Sequence, residues 1–188
     1  RVMGYALTGS TGAQCMFVLY GSGANGKSVL LNALRALLGD YARNAAPETF
    51  LQQQQERIRS DLARLAGCRL VSTVELDEGR RLSEALVKQM TGGDVITARF
   101  LNKNEFEFTP RFKVLMATNH KPIIRGTDYA IWRRIRLIPF TVTIREAERD
   151  PQFIDRLVEE LPGILAWAMR GCLAWQAGGL QEPEEVKA

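Results

Sequence analysis

Eight consecutive residues carry the clearest chemical signal in the sequence. They match the pattern GxxxxGK[ST] and are Gly21, Ser22, Gly23, Ala24, Asn25, Gly26, Lys27 and Ser28. Glycines let consecutive backbone N–H groups curl around a phosphate, and a helix that follows adds the positive end of its dipole. In such a loop the lysine reaches the β- and γ-phosphates and the final hydroxyl ligates Mg²⁺. The sequence therefore predicts a binding site for ATP and Mg²⁺.

A phosphate-binding loop of this kind needs an acidic partner at the end of a neighbouring strand. Residues 69–76 have the composition of a buried strand and bring Glu75 to its end, with Asp77 two positions later. We expect Glu75 to hold the metal together with Ser28. The spacing leaves open whether Glu75 or Asp77 activates the attacking water.

Three further polar residues stand at the ends of predicted elements. Asn119 follows the apolar run 112–118, where open α/β sheets bind their ligands, and its amide could orient water near the γ-phosphate. Arg133 and Arg134 precede the apolar run 135–140, and one of them is a candidate arginine finger that reaches the nucleotide of a neighbouring subunit. A salt bridge or a contact with a DNA phosphate is the alternative for either arginine.

The elements that must position these residues alternate along the chain. Apolar runs typical of buried strands occur at residues 15–20, 69–76, 112–118 and 135–140, and helical patterns at 27–38, 58–65 and 82–90. Alternating strands and helices predict an α/β fold of the P-loop NTPase type, with a parallel sheet flanked by helices.

A β-hairpin is predicted as an insertion in this core. Residues 95–100 and 105–108 are strand-like, and the four residues between them supply turn chemistry, which places Lys103 near the tip. In the second strand glutamates alternate with phenylalanines, so Phe106 and Phe108 are expected to face the core.

Beyond residue 144 the pattern becomes helical. We therefore expect an ATPase core over residues 1–144, with a short lead-in at 1–14, and a C-terminal helical segment at 145–188. No signal-peptide pattern follows Arg1, and we expect the sequence to be a segment of a longer chain.

Composition excludes several other classes of protein. The 188 residues carry a net charge of +4, and no apolar run reaches the length of a membrane-spanning helix. Three separated cysteines and a single histidine argue against a disulfide framework and a multi-histidine zinc site. Residues 99–136 contain nine basic and three acidic residues, a charge distribution that suits phosphate binding.

The sequence resembles the helicase portion of phage and plasmid primases, which are superfamily 3 helicases of the AAA+ class. The matching elements follow the order of that family and are FVLYGSGANGKS, GCRLVSTVELDEG, KQMTGGDVITARFLNKNEFEFTPRFKVLMATNHKP and DYAIWRRIRLIPF. One departure is that Leu76 separates Glu75 from Asp77, where many members have two adjacent acids.

The resemblance implies an ATP-driven DNA helicase that acts in phage or plasmid replication and assembles as a ring, usually a hexamer. It implies that residues 88–99 precede a DNA-contacting hairpin, where Arg99, Asn102 and Lys103 would contact single-stranded or forked DNA. It also implies 3′ to 5′ movement, an N-terminal primase region in the parent chain, and a location in the cytoplasm of a bacterium or an infected host. A P-loop ATPase switch or loader that binds DNA without unwinding it, and a P-loop phosphotransferase, are the alternatives.

Overall fold

The core of the protein is a sheet of five parallel strands. In the computed structural model, which describes residues 1–52, 59–74, 79–126, 128–183 and 186, the strands are β1 (Met16–Tyr20), β2 (Ala42–Asn44), β3 (Leu70–Val74), β6 (Lys113–Thr118) and β7 (Ile135–Pro139). Their order across the sheet is β2-β3-β6-β1-β7, so the strand that leads into the phosphate-binding loop is flanked on both sides. Two further strands, β4 (Ile96–Arg99) and β5 (Glu105–Phe108), form a separate antiparallel pair.

Helices cover both faces of the sheet. They are α1 (Val2–Leu7), α2 (Lys27–Leu38), α3 (Ser60–Ala63), α4 (Glu84–Gly92), α5 (Tyr129–Trp132), α6 (Phe153–Glu159) and α7 (Leu161–Gly178). None of the helices in these described ranges is long and apolar enough to span a membrane.

Successive residues of β1 face opposite sides of the sheet, which divides the apolar core into two clusters. Met16 and Val18 belong to the cluster that also contains residues of α3, α4 and α5. Phe17 and Leu19 belong to the cluster formed with α1, α2 and α7. Burial on both faces explains why β1 is apolar at every position and not at alternate ones.

The strands and helices expected from the sequence are confirmed, with bounds that differ by a few residues. Helix α2 spans the predicted range, and it ends where Gly39 adopts a φ of +51°. The short elements α1, β2 and α5 were not predicted, because none is long enough to show a repeating hydrophobic pattern.

The two C-terminal helices pack against the core. Helix α7 lies against α1 and contributes Ala168 to the apolar cluster that contains Phe17 and Leu19. Helix α6 contacts α2, the helix that begins at the phosphate-binding loop. The C-terminal segment therefore shares a hydrophobic core with the sheet.

The basic segment 99–136 is not wholly a surface feature. Lys113 is only 1% exposed and donates hydrogen bonds to the carbonyl oxygens of Thr8 and Ser10, and Arg134 is 8% exposed. Burial holds the pKa of Lys113 down at about 7, with the charge of Arg69 contributing. The positive surface that could attract phosphates is therefore smaller than the number of basic residues in this segment indicates.

Candidate active site

The phosphate-binding loop joins the end of β1 to the start of α2, as expected. Gly23, Ala24 and Gly26 have positive φ angles of +98°, +47° and +84°, which curl the backbone over the start of the helix. The loop borders a cleft of about 280 Å³, whose lining also includes Ser28 and Asn119. The cleft lies at the carboxyl ends of β1 and β6, where an open parallel sheet binds ligands.

Lys27 is the charged residue among the described residues that line this cleft. Its side chain is buried, and Nζ donates to the carbonyl oxygen of Gly21 at 2.7 Å, Oδ1 of Asn25 at 2.9 Å and Oδ1 of Asn119 at 3.3 Å. All three acceptors are uncharged, and burial lowers the pKa of Lys27. These neutral oxygens accept hydrogen bonds from the Lys27 ammonium group but do not neutralise its charge. An anion such as a phosphate would neutralise it.

Asn25 connects the phosphate-binding loop to the end of β7. Its Oδ1 accepts from Lys27, and its Nδ2 donates to the carbonyl oxygen of Phe140 at 3.0 Å. Gly21 packs so closely here that an added Cβ would overlap the Phe140 carbonyl oxygen. The backbone of Ile144 also donates to the carbonyl oxygen of Ala24 at 2.7 Å. The segment after β7 therefore stabilises the phosphate-binding loop through these contacts.

The sequence indicates only part of this support. Asn25 belongs to the GxxxxGK[ST] pattern, and its amide is a potential hydrogen-bonding group. Its partner Phe140 lies 115 residues away and presents a backbone atom, which no residue pattern identifies.

Asn119, whose amide was expected to orient water near the γ-phosphate, lies immediately after β6, is exposed, and accepts a hydrogen bond from Lys27. Ser28, the predicted metal ligand, is the second residue of α2, is exposed and lines the cleft. The predicted acids Glu75 and Asp77 lie outside the described residues. Within the described ranges, no cluster of three or more histidine, cysteine, aspartate or glutamate residues could hold a metal ion.

The two candidate finger arginines have different environments. Arg133 is exposed and donates to Oε1 of Gln14 at 2.9 Å. Arg134 is buried and donates to the carbonyl oxygen of Ala130 at 2.6 Å, and burial lowers its pKa. Arg133 is thus the more accessible of the two to a second molecule.

The three predicted DNA-binding residues lie together on the β4–β5 hairpin. Arg99, Asn102 and Lys103 are all exposed, and the turn between the strands is closed by the Lys103 N–H, which donates to the Phe100 carbonyl oxygen at 3.1 Å. Leu101, beside them, is 83% exposed and was not singled out from the sequence.

The opposite face of the hairpin is fixed to the core. Ile96 and Ala98 are buried, while Phe106 and Phe108 pack against the same apolar cluster, which confirms their predicted direction. The ring of Phe100 stacks on that of Phe106, with centroids 5.7 Å apart. The hairpin therefore presents its polar face and its tip to solvent.

Comparison with known families gives a match over most of the chain. A family model described as a family of unknown function, DUF5906, matches residues 19–134. That range contains the phosphate-binding loop, Asn119 and both candidate finger arginines.

Individual relatives are viral proteins. The chain is 35% identical over 136 residues to a protein of Acanthamoeba polyphaga mimivirus named "Putative helicase L207/L206", an alignment that covers 71% of this chain and 14% of the relative. It is 29% identical over 155 residues to "Putative primase C962R" of African swine fever virus (strain Badajoz 1971 Vero-adapted), covering 76% of this chain and 16% of the relative. The chain thus spans about one seventh of the length of these relatives.

Solved structures share the fold. A structure described as "The apo structure of NrS-1 C terminal region (305-718)" is similar with a TM-score of 0.63 and 17% sequence identity. The similarity covers 84% of this chain and 37% of that chain. The α/β arrangement of sheet and flanking helices is therefore shared with a larger structure.

Proposed function

This chain belongs to the DUF5906 family, and on that premise we propose that it is the ATP-hydrolysing motor module of a DNA replication helicase of superfamily 3. The observation that carries the proposal is the position of Lys27. Its buried ammonium group lies at the start of α2, surrounded by the oxygens of Gly21, Asn25 and Asn119 at the carboxyl ends of two adjacent parallel strands. The helicase and primase names of the viral relatives support a role in replication.

The proposed substrate site follows from the charge and shape of the cleft. The β- and γ-phosphates of ATP would lie over the phosphate-binding loop and accept hydrogen bonds from its backbone N–H groups and from Lys27. Ser28 would hold Mg²⁺ together with Glu75, and the ion would neutralise part of the phosphate charge. Asn119 contacts Lys27 and could orient the attacking water, which Glu75 or Asp77 would activate.

Hydrolysis would require assembly of several copies. An arginine that acts in trans must be accessible on the free protein, which favours Arg133 over Arg134, because Arg134 is buried and bonded within its own chain. We propose a ring, with six subunits as the expected number, in which Arg133 of one copy reaches the nucleotide of the next.

The β4–β5 hairpin is the proposed DNA contact. Its exposed Arg99, Asn102 and Lys103 would bind backbone phosphates of single-stranded or forked DNA without reading sequence. Because the other face of the hairpin packs on the core, a shift of the core would move the tip as a unit. An N-terminal primase region is the proposed neighbour in the parent chain.

The decisive experiment measures ATP hydrolysis with and without single-stranded DNA while light scattering follows the molecular mass. The variant is Lys27→Met, which keeps the volume of the side chain and removes its charge, and the matched control is Lys121→Met, an exposed lysine outside the lining of the cleft. We expect Lys27→Met to weaken nucleotide binding by about 10- to 100-fold, the value of one charge-assisted hydrogen bond. ATP turnover by the same variant should fall to the rate measured without enzyme.

The outcomes separate the candidate activities. DNA-stimulated turnover that appears only with assembly, together with strand displacement on forked DNA, supports the helicase. DNA-stimulated turnover without strand displacement instead supports the switch or loader. Wild-type protein that binds no nucleotide, or Lys27→Met that binds it as well as the control, overturns the proposal.

A further inference from the structure

Arg133, the arginine proposed to act in trans, lies in the turn that joins α5 to β7, a strand at the edge of the sheet. This turn and the start of β7 carry three arginines within four positions, Arg133, Arg134 and Arg136. Like charges at such short spacing repel each other. Burial lowers the pKa of Arg134, and the charge of Arg133 lowers it further. A group that neutralises one of these charges therefore stabilises the turn.

Arg136 connects the turn to a carboxylate far along the chain. Its Nε donates to Oε1 of Glu182, and its Nη1 donates to the carbonyl oxygen of Arg133 at 2.6 Å. Carbonyl groups at the C-terminus of a helix have no partner inside the helix, and Arg133 is the residue that follows α5. The planar guanidinium group of Arg136 thus binds the Glu182 carboxylate and the backbone of Arg133 together.

The position of Glu182 is set by the helix that precedes it. Helix α7 ends at Gly179, which has a φ of +70°, and Leu180 packs against the apolar cluster shared by β1, α2 and α7. The side chains of Arg136 and Glu182 are 20% and 29% exposed, so solvent screens this ion pair less than it screens a pair on the surface. The end of α7 is therefore connected to the turn that carries Arg133.

We propose that Arg136 and Glu182 are positioning residues for Arg133, so that the end of α7 determines how well this arginine acts on the next subunit. Arg136 fixes the backbone from which the Arg133 side chain extends, and Oε1 of Gln14 accepts from that side chain at 2.9 Å. An arginine finger stabilises charge that develops in the transition state, so its placement affects turnover more than nucleotide affinity. This inference rests on the proposed function.

The test measures ATP turnover, ADP affinity by calorimetry, molecular mass by light scattering and thermal unfolding for Glu182→Ala. The matched control is Glu159→Ala, because Glu159 is an exposed glutamate on α6. A displacement of about 1 Å at a catalytic group lowers a rate by up to about 100-fold, and we expect Glu182→Ala to lower kcat about tenfold. ADP affinity and assembly should be unchanged, and Glu159→Ala should match the wild type. Glu182→Gln, which keeps a hydrogen-bond acceptor without the charge, should show a smaller loss of kcat.

Mixed subunits show whether the defect lies in the arginine that a subunit donates. A Lys27→Met subunit lacks a working nucleotide site but carries an intact Arg133. Mixed with Arg133→Ala protein, it should restore turnover at interfaces where it donates its arginine to an intact site. The same mixture with Glu182→Ala should raise turnover per Glu182→Ala subunit severalfold, because the nucleotide site of that subunit is unaltered. Mixing would not restore a loss of folding or of nucleotide binding.

Failure of this inference is distinct from failure of the proposed function. If Arg133→Ala loses turnover and mixing restores it, but both Glu182 variants keep the wild-type kcat, this inference alone is wrong. A loss of turnover in Glu182→Ala that mixing does not restore also overturns it. If Arg133→Ala keeps full turnover, or its mixture with Lys27→Met stays inactive, Arg133 is not a finger that acts in trans and this inference fails with that assignment. If the wild type hydrolyses no ATP, the proposed function itself is wrong.

Discussion

Gly21 is a position in the phosphate-binding loop where even the methyl group of alanine should be disruptive. A Cβ at residue 21 would lie 2.5 Å from Nδ2 of Asn25 and closer still to the carbonyl oxygen of Phe140. The Phe140 oxygen is a backbone atom and cannot rotate away, so either the loop or the end of β7 must move. Gly21→Ala therefore disrupts the contact that holds the phosphate-binding loop in place.

The size of the effect follows from two contributions. Forcing a methyl group into a closely packed site costs about 1–3 kcal/mol. Loss of the hydrogen bond from Asn25 to Phe140 adds about 1 kcal/mol. We expect Gly21→Ala to lower the free energy of unfolding by about 2–4 kcal/mol and to weaken nucleotide binding, because the Gly21 carbonyl oxygen also accepts from Lys27.

Urea unfolding followed by tryptophan fluorescence measures the stability, and calorimetry with ADP measures the affinity. The control is Gly163→Ala, since an added Cβ at Gly163, in the first turn of α7, meets no atom within 4 Å. Alanine in a helix is favoured over glycine, so the control should be unchanged or slightly more stable. A Gly21→Ala protein with wild-type stability and affinity would refute the close approach of residues 21 and 140.

Two further predictions concern buried cations. The pKa of Lys113 is about 7 in the folded protein, and its ordinary value is 10.5. Between these two pH values the lysine is protonated in the unfolded chain but not in the folded protein. The free energy of unfolding should therefore rise with pH across this range. Urea unfolding of the wild type at pH 7 and pH 9 should show this rise, by up to about 1.4 kcal/mol per pH unit. Lys113→Met should not show it. Equal pH dependence of stability in the two proteins would contradict the prediction. Arg134→Ala should lower stability by about 1–3 kcal/mol, because it removes a buried charged donor to Ala130, whereas exposed Arg133→Ala should change the melting temperature little and lower ATP turnover. Loss of turnover in Arg134→Ala at full stability would reverse the assignment of the finger.

The sequence alone determined the parts of this protein that depend on local patterns. The apolar run of β1, the following GxxxxGKS and the helical repeat of α2 lie next to each other in the chain, so their order already specifies a strand, a phosphate-binding loop and a helix. The alternation of glutamate and phenylalanine likewise determined which face of the hairpin turns inward. Patterns of this kind need only a few neighbouring residues to be recognised.

Tertiary structure decided how these parts are supported. Strand β2 has three residues and is defined by its pairing with β3, not by any repeat of its own. The adjacent residues Arg133 and Arg134 have the same side chain, yet one is exposed and the other buried, because the turn after α5 directs them to different surroundings. The contact of Asn25 with Phe140 joins residues more than a hundred positions apart. Such contacts depend on the path of the backbone through the whole fold, which the composition of a short segment does not encode.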